Sequence, residues 1–206
     1  LLDFRYPHAL SARIPSKMTV SKLKDAEILR TGEKLIAMQI APKFVSSEES
    51  NSGARIGTLV HRVLLHLNLT RLHAVILREE LSAQLAVMAD EGIFSAAEAA
   101  LIDLDMLCTF FESEVGCALL EAEEVHREMP FIMRMPAGEI DAAWTDSGEN
   151  ILVQGVIDCW FRTGGRTFLL DYKTDRTADE SSFVLRKAKY TAQIRLYARA
   201  LTEITG

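Results

Sequence analysis

Helical periodicity first, then a cluster of strand-like runs, then a closing helix predict an α/β (α+β) fold: a small mixed sheet flanked by helices, with a helical N-terminal part. Three observations carry this. Between residues 54 and 122 apolar side chains recur at helical spacing. Two apolar runs, 151–161 and 167–173, flank Thr163-Gly164-Gly165-Arg166, a strong hairpin-turn signal. A last helical segment then follows.

Taken in order, residues 1–18 carry Pro7 and Pro15 and read as an extended lead-in. Thr19 or Ser21 is suited to cap a short helix over Lys22–Leu29. The polar stretch Ser46 to Gly53 reads as a loop and separates a lead-in over 1–53 from a domain over 54–206. A helix is expected at about 54–69, with Ile56, Leu59, Val60, Val63, Leu64 and Leu67 on one stripe. A second covers about 73–91 and ends at Gly92. Ser95 starts further helix that runs, with one break, to about Ala122. The pattern then changes: Glu128–Met135 alternates loosely and reads as a strand, and Glu139–Trp144 reads as another. The hairpin follows, then a final helix over about Phe183–Glu203.

The chain has 206 residues, enough for one domain with a substantial core. Its 49% hydrophobic and 25% charged residues are ordinary for a soluble globular protein. No apolar run approaches the roughly 20 residues a membrane span needs, and the start has no signal-peptide pattern. The chain begins Leu1-Leu2-Asp3 without an initiator Met, as expected of a piece of a longer protein. Cys108, Cys117 and Cys159 are an odd set without CxxC spacing. That disfavours disulfides, a zinc knuckle or an iron–sulfur cluster and fits reduced thiols in the cytoplasm. Gly32-Glu33-Lys34 lacks the upstream glycine and the Ser/Thr of a phosphate-cradling loop, so no ATPase site is expected. The net charge of −6 is unfavourable for nucleic-acid affinity by this chain alone. Yet residues 183–201 carry five cations (Arg186, Lys187, Lys189, Arg195 and Arg199) and no acid. Such a run is either a solvated helix face or a phosphate-facing one.

Chemistry concentrates in the hairpin. If it is centred on Gly164-Gly165, residues whose numbers sum to 329 oppose one another, and Asp158 meets Asp171. Opposed residues have Cβ atoms about 5 Å apart. Side chains alternate along a strand, so Lys173 shares the face of Asp171. Asp is depleted in strand interiors, and two adjacent carboxylates ionise together only with a cation between them. Oxygen ligands of this kind suit Mg²⁺ or Mn²⁺, and a lysine beside such an ion suits phosphodiester hydrolysis. The competing reading is structural: hydrogen-bonded carboxylates, with Lys173 neutralising Asp171. His61 lies four residues after Gly57 on one helix face, where glycine permits close approach. A lone helical histidine is more often a packing residue than a ligand, and spacing alone leaves both open. Gln193 and Tyr197 are likewise four apart, with Tyr190 on the same side; such a pair more often packs or hydrogen-bonds, and beside a metal hairpin it is also placed to orient the lysine or contact a phosphate. Glu128 is a weaker candidate for a carboxylate near the hairpin.

The ordered set Gly57-xxx-His61, Gly155-Val156-Ile157-Asp158, Asp171-Tyr172-Lys173-Thr174-Asp175 and Gln193-xxx-Tyr197 resembles the RecB-family nuclease domain of the PD-(D/E)XK superfamily. The longer wording of the hairpin, with the lead-in Lys17-Met18-Thr19-Val20-Ser21-Lys22-Leu23-Lys24, is most similar to the C-terminal nuclease domains of AddA-type bacterial helicase–nucleases. The resemblance covers nearly the whole chain. It implies a restriction-endonuclease-like core and a Mg²⁺ or Mn²⁺ ion held by His61, Asp158, Asp171 and the main-chain carbonyl of Tyr172. It implies that Lys173 positions the attacking water and stabilises phosphate charge, and that Gln193 and Tyr197, with Arg186, Lys187 and Lys189 nearby, support the site or the DNA path. It further implies a deoxyribonuclease cutting single-stranded DNA fed by the helicase portion of the same polypeptide, with an AddB-like partner. The implied setting is the bacterial cytoplasm and double-strand break repair by recombination. The cysteines of iron–sulfur-bearing relatives are missing. Two rival readings are a nuclease fold kept as a non-catalytic docking or DNA-guiding module, and a stand-alone nuclease or nickase.

Overall fold

A computed structural model of the protein describes residues 11–23, 48–173 and 180–206, the side chains of 48–54 and 180–189 excepted. The elements run β1 (Lys17–Thr19), a helical turn over 20–23, α1 (Glu48–His66), α2 (Leu77–Asp90), α3 (Ala96–Ala99), α4 (Leu104–Glu112), α5 (Glu114–Leu120), β2 (Glu124–Pro136), α6 (Ala137–Ile140), β3 (Asn150–Thr163), β4 (Arg166–Leu170) and α7 (Glu180–Thr205). The fold is mixed α/β, a small sheet with helices flanking it. Strand order is β1-β3-β2, with β4 also on β3. β1 runs parallel to β3, Met18 opposite Val153. β4 runs antiparallel to β3, from Thr163 opposite Arg166 to Cys159 opposite Leu170.

The described residues fall into two compact units, one of 11–23, 129–157 and 180–206, the other of 48–128 and 158–173. In the first, Phe131, Met133 and Met135 are buried while Ile132 and Arg134 are exposed, the two-residue period of a half-buried strand. Phe131 stands edge-on to Tyr197. A Cβ at Gly155 would lie 2.8 Å from the Phe131 ring, so glycine there makes room for that ring.

The second unit has the larger apolar core. Leu59, Val60, Val63, Leu64 and Leu67, the predicted stripe, pack with Leu81, Leu107, Phe111, Cys159 and Phe161. Ser95 and Glu98 form a reciprocal capping box at α3, and Asp103 caps α4. Ser113 ends α4 and caps α5, accepting from Gly116 N. A Cβ at Gly116 would fall 2.0 Å from the Phe110 carbonyl oxygen, so the close approach of α5 to the end of α4 requires glycine there.

Several local expectations are corrected. Residues 48–53 are helical, not loop: α1 begins at Glu48, because extending an established helix gains one hydrogen bond per residue fixed, whereas its nucleus fixes several for the first. A 3₁₀ turn over Ala74–Ile76 precedes α2, which starts at Leu77; Gly92 follows its end with φ 74°, as expected. The segment from Ser95 has two breaks, not one, because Asp103 and Ser113 each supply a new cap. Glu139–Trp144 is not a strand. The Asp141 carboxylate accepts from Ala143 N at 2.9 Å, Gly138 packs on Thr145, and Gly148 at φ 66° ends a 3₁₀ turn over Ala142–Ser147. Local hydrogen bonds have outcompeted a ladder there. Thr19 Oγ1 accepts from Lys22 N; the rest of the predicted Lys22–Leu29 helix and most of the 1–18 lead-in lie outside the described residues.

Candidate metal centre

The hairpin register is the one its turn predicts: Cys159–Leu170, Trp160–Leu169, Phe161–Phe168 and Thr163–Arg166 all sum to 329. Asp158 and Asp171 are the next positions outward. β4 stops at Leu170, and Asp158 explains the stop. Its Oδ2 accepts the Tyr172 N–H at 2.8 Å, taking a donor that a strand ladder would have used.

The carbonyl of the same residue is met by two further side chains. His61 Nε2 lies 3.1 Å from this oxygen and 3.6 Å from Asp158 Oδ2. Lys173 Nζ donates to the same carbonyl at 3.3 Å and pairs with Asp171 Oδ2 at 2.6 Å. The Asp171 side chain is 4% exposed and that of Lys173 30%, so the ammonium forms the solvent side of the pair. His61, Asp158, Asp171, Tyr172 and Lys173 thus form one connected cluster, and all five belong to the second unit.

Glu128 belongs to it more firmly than its sequence context indicated. Its Oε1 lies 3.2 Å from His61 Nδ1, and ligand atoms of His61, Glu128 and Asp158 lie within 4.8 Å of one another. Among the described residues it is the non-glycine residue with positive φ, 49°. In a regular strand Arg127 and Glu128 would face opposite ways. With the positive φ of Glu128 inside β2 both reach α1: the Arg127 guanidinium donates to the carbonyls of Leu64 and Leu67 at 2.8 and 2.7 Å, capping the helix, while Glu128 holds the histidine. A left-handed residue kept inside a strand is a recurrent mark of a functional position.

The electrostatics follow from burial and crowding. Asp158 is 7% exposed. Burial pushes its carboxyl up to about 6, with the Asp171 charge adding to the rise, while His61, the Tyr172 N–H and Lys173 oppose it. Burial also raises the Tyr172 hydroxyl and, for the same reason, the Cys159 thiol.

These donors fit a hard divalent cation. Ligands at about 2.1 Å in an octahedron stand about 3.0 Å apart, close to the 3.1 and 3.6 Å separations about His61 Nε2. The set is carboxylate, carbonyl and one imidazole, the last oriented by an acid at its other nitrogen, as metal-bound histidines commonly are.

Gln193 and Tyr197 belong to the first unit. Both are buried, and the Gln193 amide donates to the Tyr197 hydroxyl at 2.8 Å. Arg186, Lys187 and Lys189 fall within α7, and their side chains lie outside the described residues. Arg127 was not singled out from sequence; an arginine in a strand carries no mark of the helix it caps.

The model of the family described as the PD-(D/E)XK nuclease superfamily matches residues 29–206. Among curated proteins, the ATP-dependent helicase/nuclease A-subunit of Alkaliphilus metalliredigens is 34% identical over 211 residues, covering 100% of this chain and 17% of that protein. Its counterparts in Bacillus velezensis and Clostridium novyi are 32% and 31% identical, again over 100% of this chain and 18% and 17% of theirs. The chain therefore spans about a sixth of the length of these relatives.

Proposed function

Because the chain belongs to the PD-(D/E)XK nuclease superfamily, we propose that it is a Mg²⁺- or Mn²⁺-dependent deoxyribonuclease whose hydrolytic site is the His61–Asp158–Asp171–Tyr172–Lys173 cluster. The observation that carries this is the convergence of His61, Asp158 and Lys173 on the backbone of one residue, Tyr172: Asp158 takes its N–H, while His61 and Lys173 meet its carbonyl. His61 Nε2, the Asp158 and Asp171 carboxylates and the Tyr172 carbonyl would hold the ion. When bound, it supplies Lewis-acid stabilisation of charge developing on phosphate oxygens.

The chain's own residues do the positioning. Glu128 accepts the Nδ1 proton of His61 and so presents Nε2 as a lone pair. Asp158 fixes the Asp171–Tyr172 peptide through the Tyr172 N–H. Lys173, steered by Asp171, places an ammonium where it orients a water and donates to a phosphate oxygen. The substrate we propose is single-stranded DNA delivered by a helicase within one polypeptide, with an AddB-like partner, in recombinational repair of double-strand breaks. The AddA-type resemblance and the names of the relatives support that setting. So does the charge of −6, since a domain fed by a motor needs little affinity of its own.

The test is degradation of end-labelled single-stranded DNA with Mg²⁺, Mn²⁺ or EDTA, comparing the chain with Asp171→Ala and Lys173→Ala. Metal-dependent cutting is expected to fall by about 10²–10⁴-fold in Lys173→Ala and to be lost in Asp171→Ala. Cutting that survives both substitutions would overturn the assignment.

A further inference from the structure

Beside the Asp171–Lys173 segment lies a cavity of about 240 Å³ with a mostly apolar wall. Leu64 of α1, Met106 and Phe110 of α4 and Leu170 of β4 form that wall, and Asp171, Tyr172 and Lys173 close one end of it. Phe110 is half-buried and meets Tyr172 edge-on, with ring centroids 5.8 Å apart. Tyr172 in turn meets His61 edge-on at 5.7 Å. One aromatic chain, Phe110–Tyr172–His61, therefore joins the cavity to the metal centre.

The proposed hydrolysis makes no use of this space. Its chemistry is nonetheless that of half a nucleotide. A nucleotide has an anionic phosphate at one end and a flat, largely apolar ring at the other. Here Lys173, a cationic donor suited to a phosphate oxygen, stands at one end of an apolar cavity. The volume is below the roughly 300–1,000 Å³ of sites for drug-sized ligands, which suits a single ring system. Bases stack on aromatic side chains with little regard to sequence, as a nuclease that degrades whatever strand reaches it requires.

We propose that this cavity is a nucleobase pocket: Phe110 and Met106 receive one base of the single strand and thereby set the neighbouring phosphate against Lys173. This rests on the nuclease reading above and adds to it a positioning site outside the metal centre. Phe110 acts here on binding and register, not on the reacting atoms.

The experiment uses the full-length protein with Mg²⁺ and a set of single-stranded oligonucleotides, each carrying one tetrahydrofuran abasic residue at a successive position. The wild type is expected to cut one phosphate, at a fixed offset from the abasic residue, about 5- to 150-fold more slowly than in the intact strand, the range of one lost stacking contact. Phe110→Ala should slow intact DNA by a similar factor and lose the abasic penalty. Phe110→Leu, which keeps an apolar side chain, serves if the alanine variant does not fold and should show a reduced penalty. Equal cutting of intact and abasic strands by the wild type, or an undiminished penalty in the folded Phe110 variants, would overturn the pocket while leaving the nuclease standing. No cutting of intact DNA by the wild type would overturn the nuclease reading, and the pocket with it.

Discussion

Replacing Asp158 by Asn should make the ion-free protein more stable near neutral pH while removing its response to divalent ions. The Asp158 carboxyl is held at about 6 against an ordinary 3.8, chiefly by burial. A raised folded-state value means that the folded chain binds this proton more tightly than the unfolded chain. Its contribution to stability is fully present below about pH 4 and is lost as pH rises through about 6. Near neutrality the ionised group is therefore a net cost. Taken whole, the difference corresponds to about 3 kcal/mol at roughly 1.36 per pH unit. Solvent reaches the cluster past half-buried His61 and the Lys173 ammonium, and this screening reduces the cost to about 1–2 kcal/mol. Asn keeps an acceptor for the Tyr172 N–H and carries no charge, so the variant should melt about 2–8 °C higher in EDTA near pH 7. At about pH 4 the two proteins should converge, and added Mn²⁺ should raise only the wild type. Thermal melts at the two pH values, with and without Mn²⁺, supply the four comparisons. An Asn variant no more stable near neutrality, or a gap unchanged in acid, would refute the reasoning.

Two further outcomes follow from the same geometry. Glu128→Gln should weaken Mn²⁺ binding by about 10–100-fold, measured by titration calorimetry, because the amide no longer offers a charged acceptor to His61 Nδ1. Gly155→Ala should cost about 1–3 kcal/mol in urea denaturation, since the new methyl group meets the Phe131 ring at 2.8 Å. Its ion affinity, measured on folded protein, should stay as in the wild type.

What was legible in the sequence tracks how local its cause is. The hairpin register follows from Gly164-Gly165 and from a period of two, so the opposition of Asp158 and Asp171 could be counted out from the turn. The stripe Leu59 to Leu67 on α1 was equally readable, because helix burial repeats at about 3.6 residues. Glu139–Trp144 was misread because side-chain bonds from Asp141 and packing of Gly138 on Thr145 decide that segment. Glu128 was underrated for a related reason: its role depends on a left-handed residue inside β2, and a glutamate gives no sign of adopting one. His61 could not be raised above a packing residue by spacing alone. Its partners Glu128 and Tyr172 lie 67 and 111 residues away, and only the ordered motifs of the resemblance pointed to it as a ligand. The apolar wall around Phe110 was invisible, since an apolar helix face reads the same whether it meets a core or a substrate.

The most direct test is anomalous diffraction from crystals of the protein grown with Mn²⁺. One strong peak is expected within bonding distance of His61 Nε2, the Asp158 and Asp171 carboxylates and the Tyr172 carbonyl oxygen, with Glu128 on the far side of the imidazole. No peak at saturating Mn²⁺, or an ion held without Asp158 and the Tyr172 carbonyl, would contradict the assignment of the metal centre.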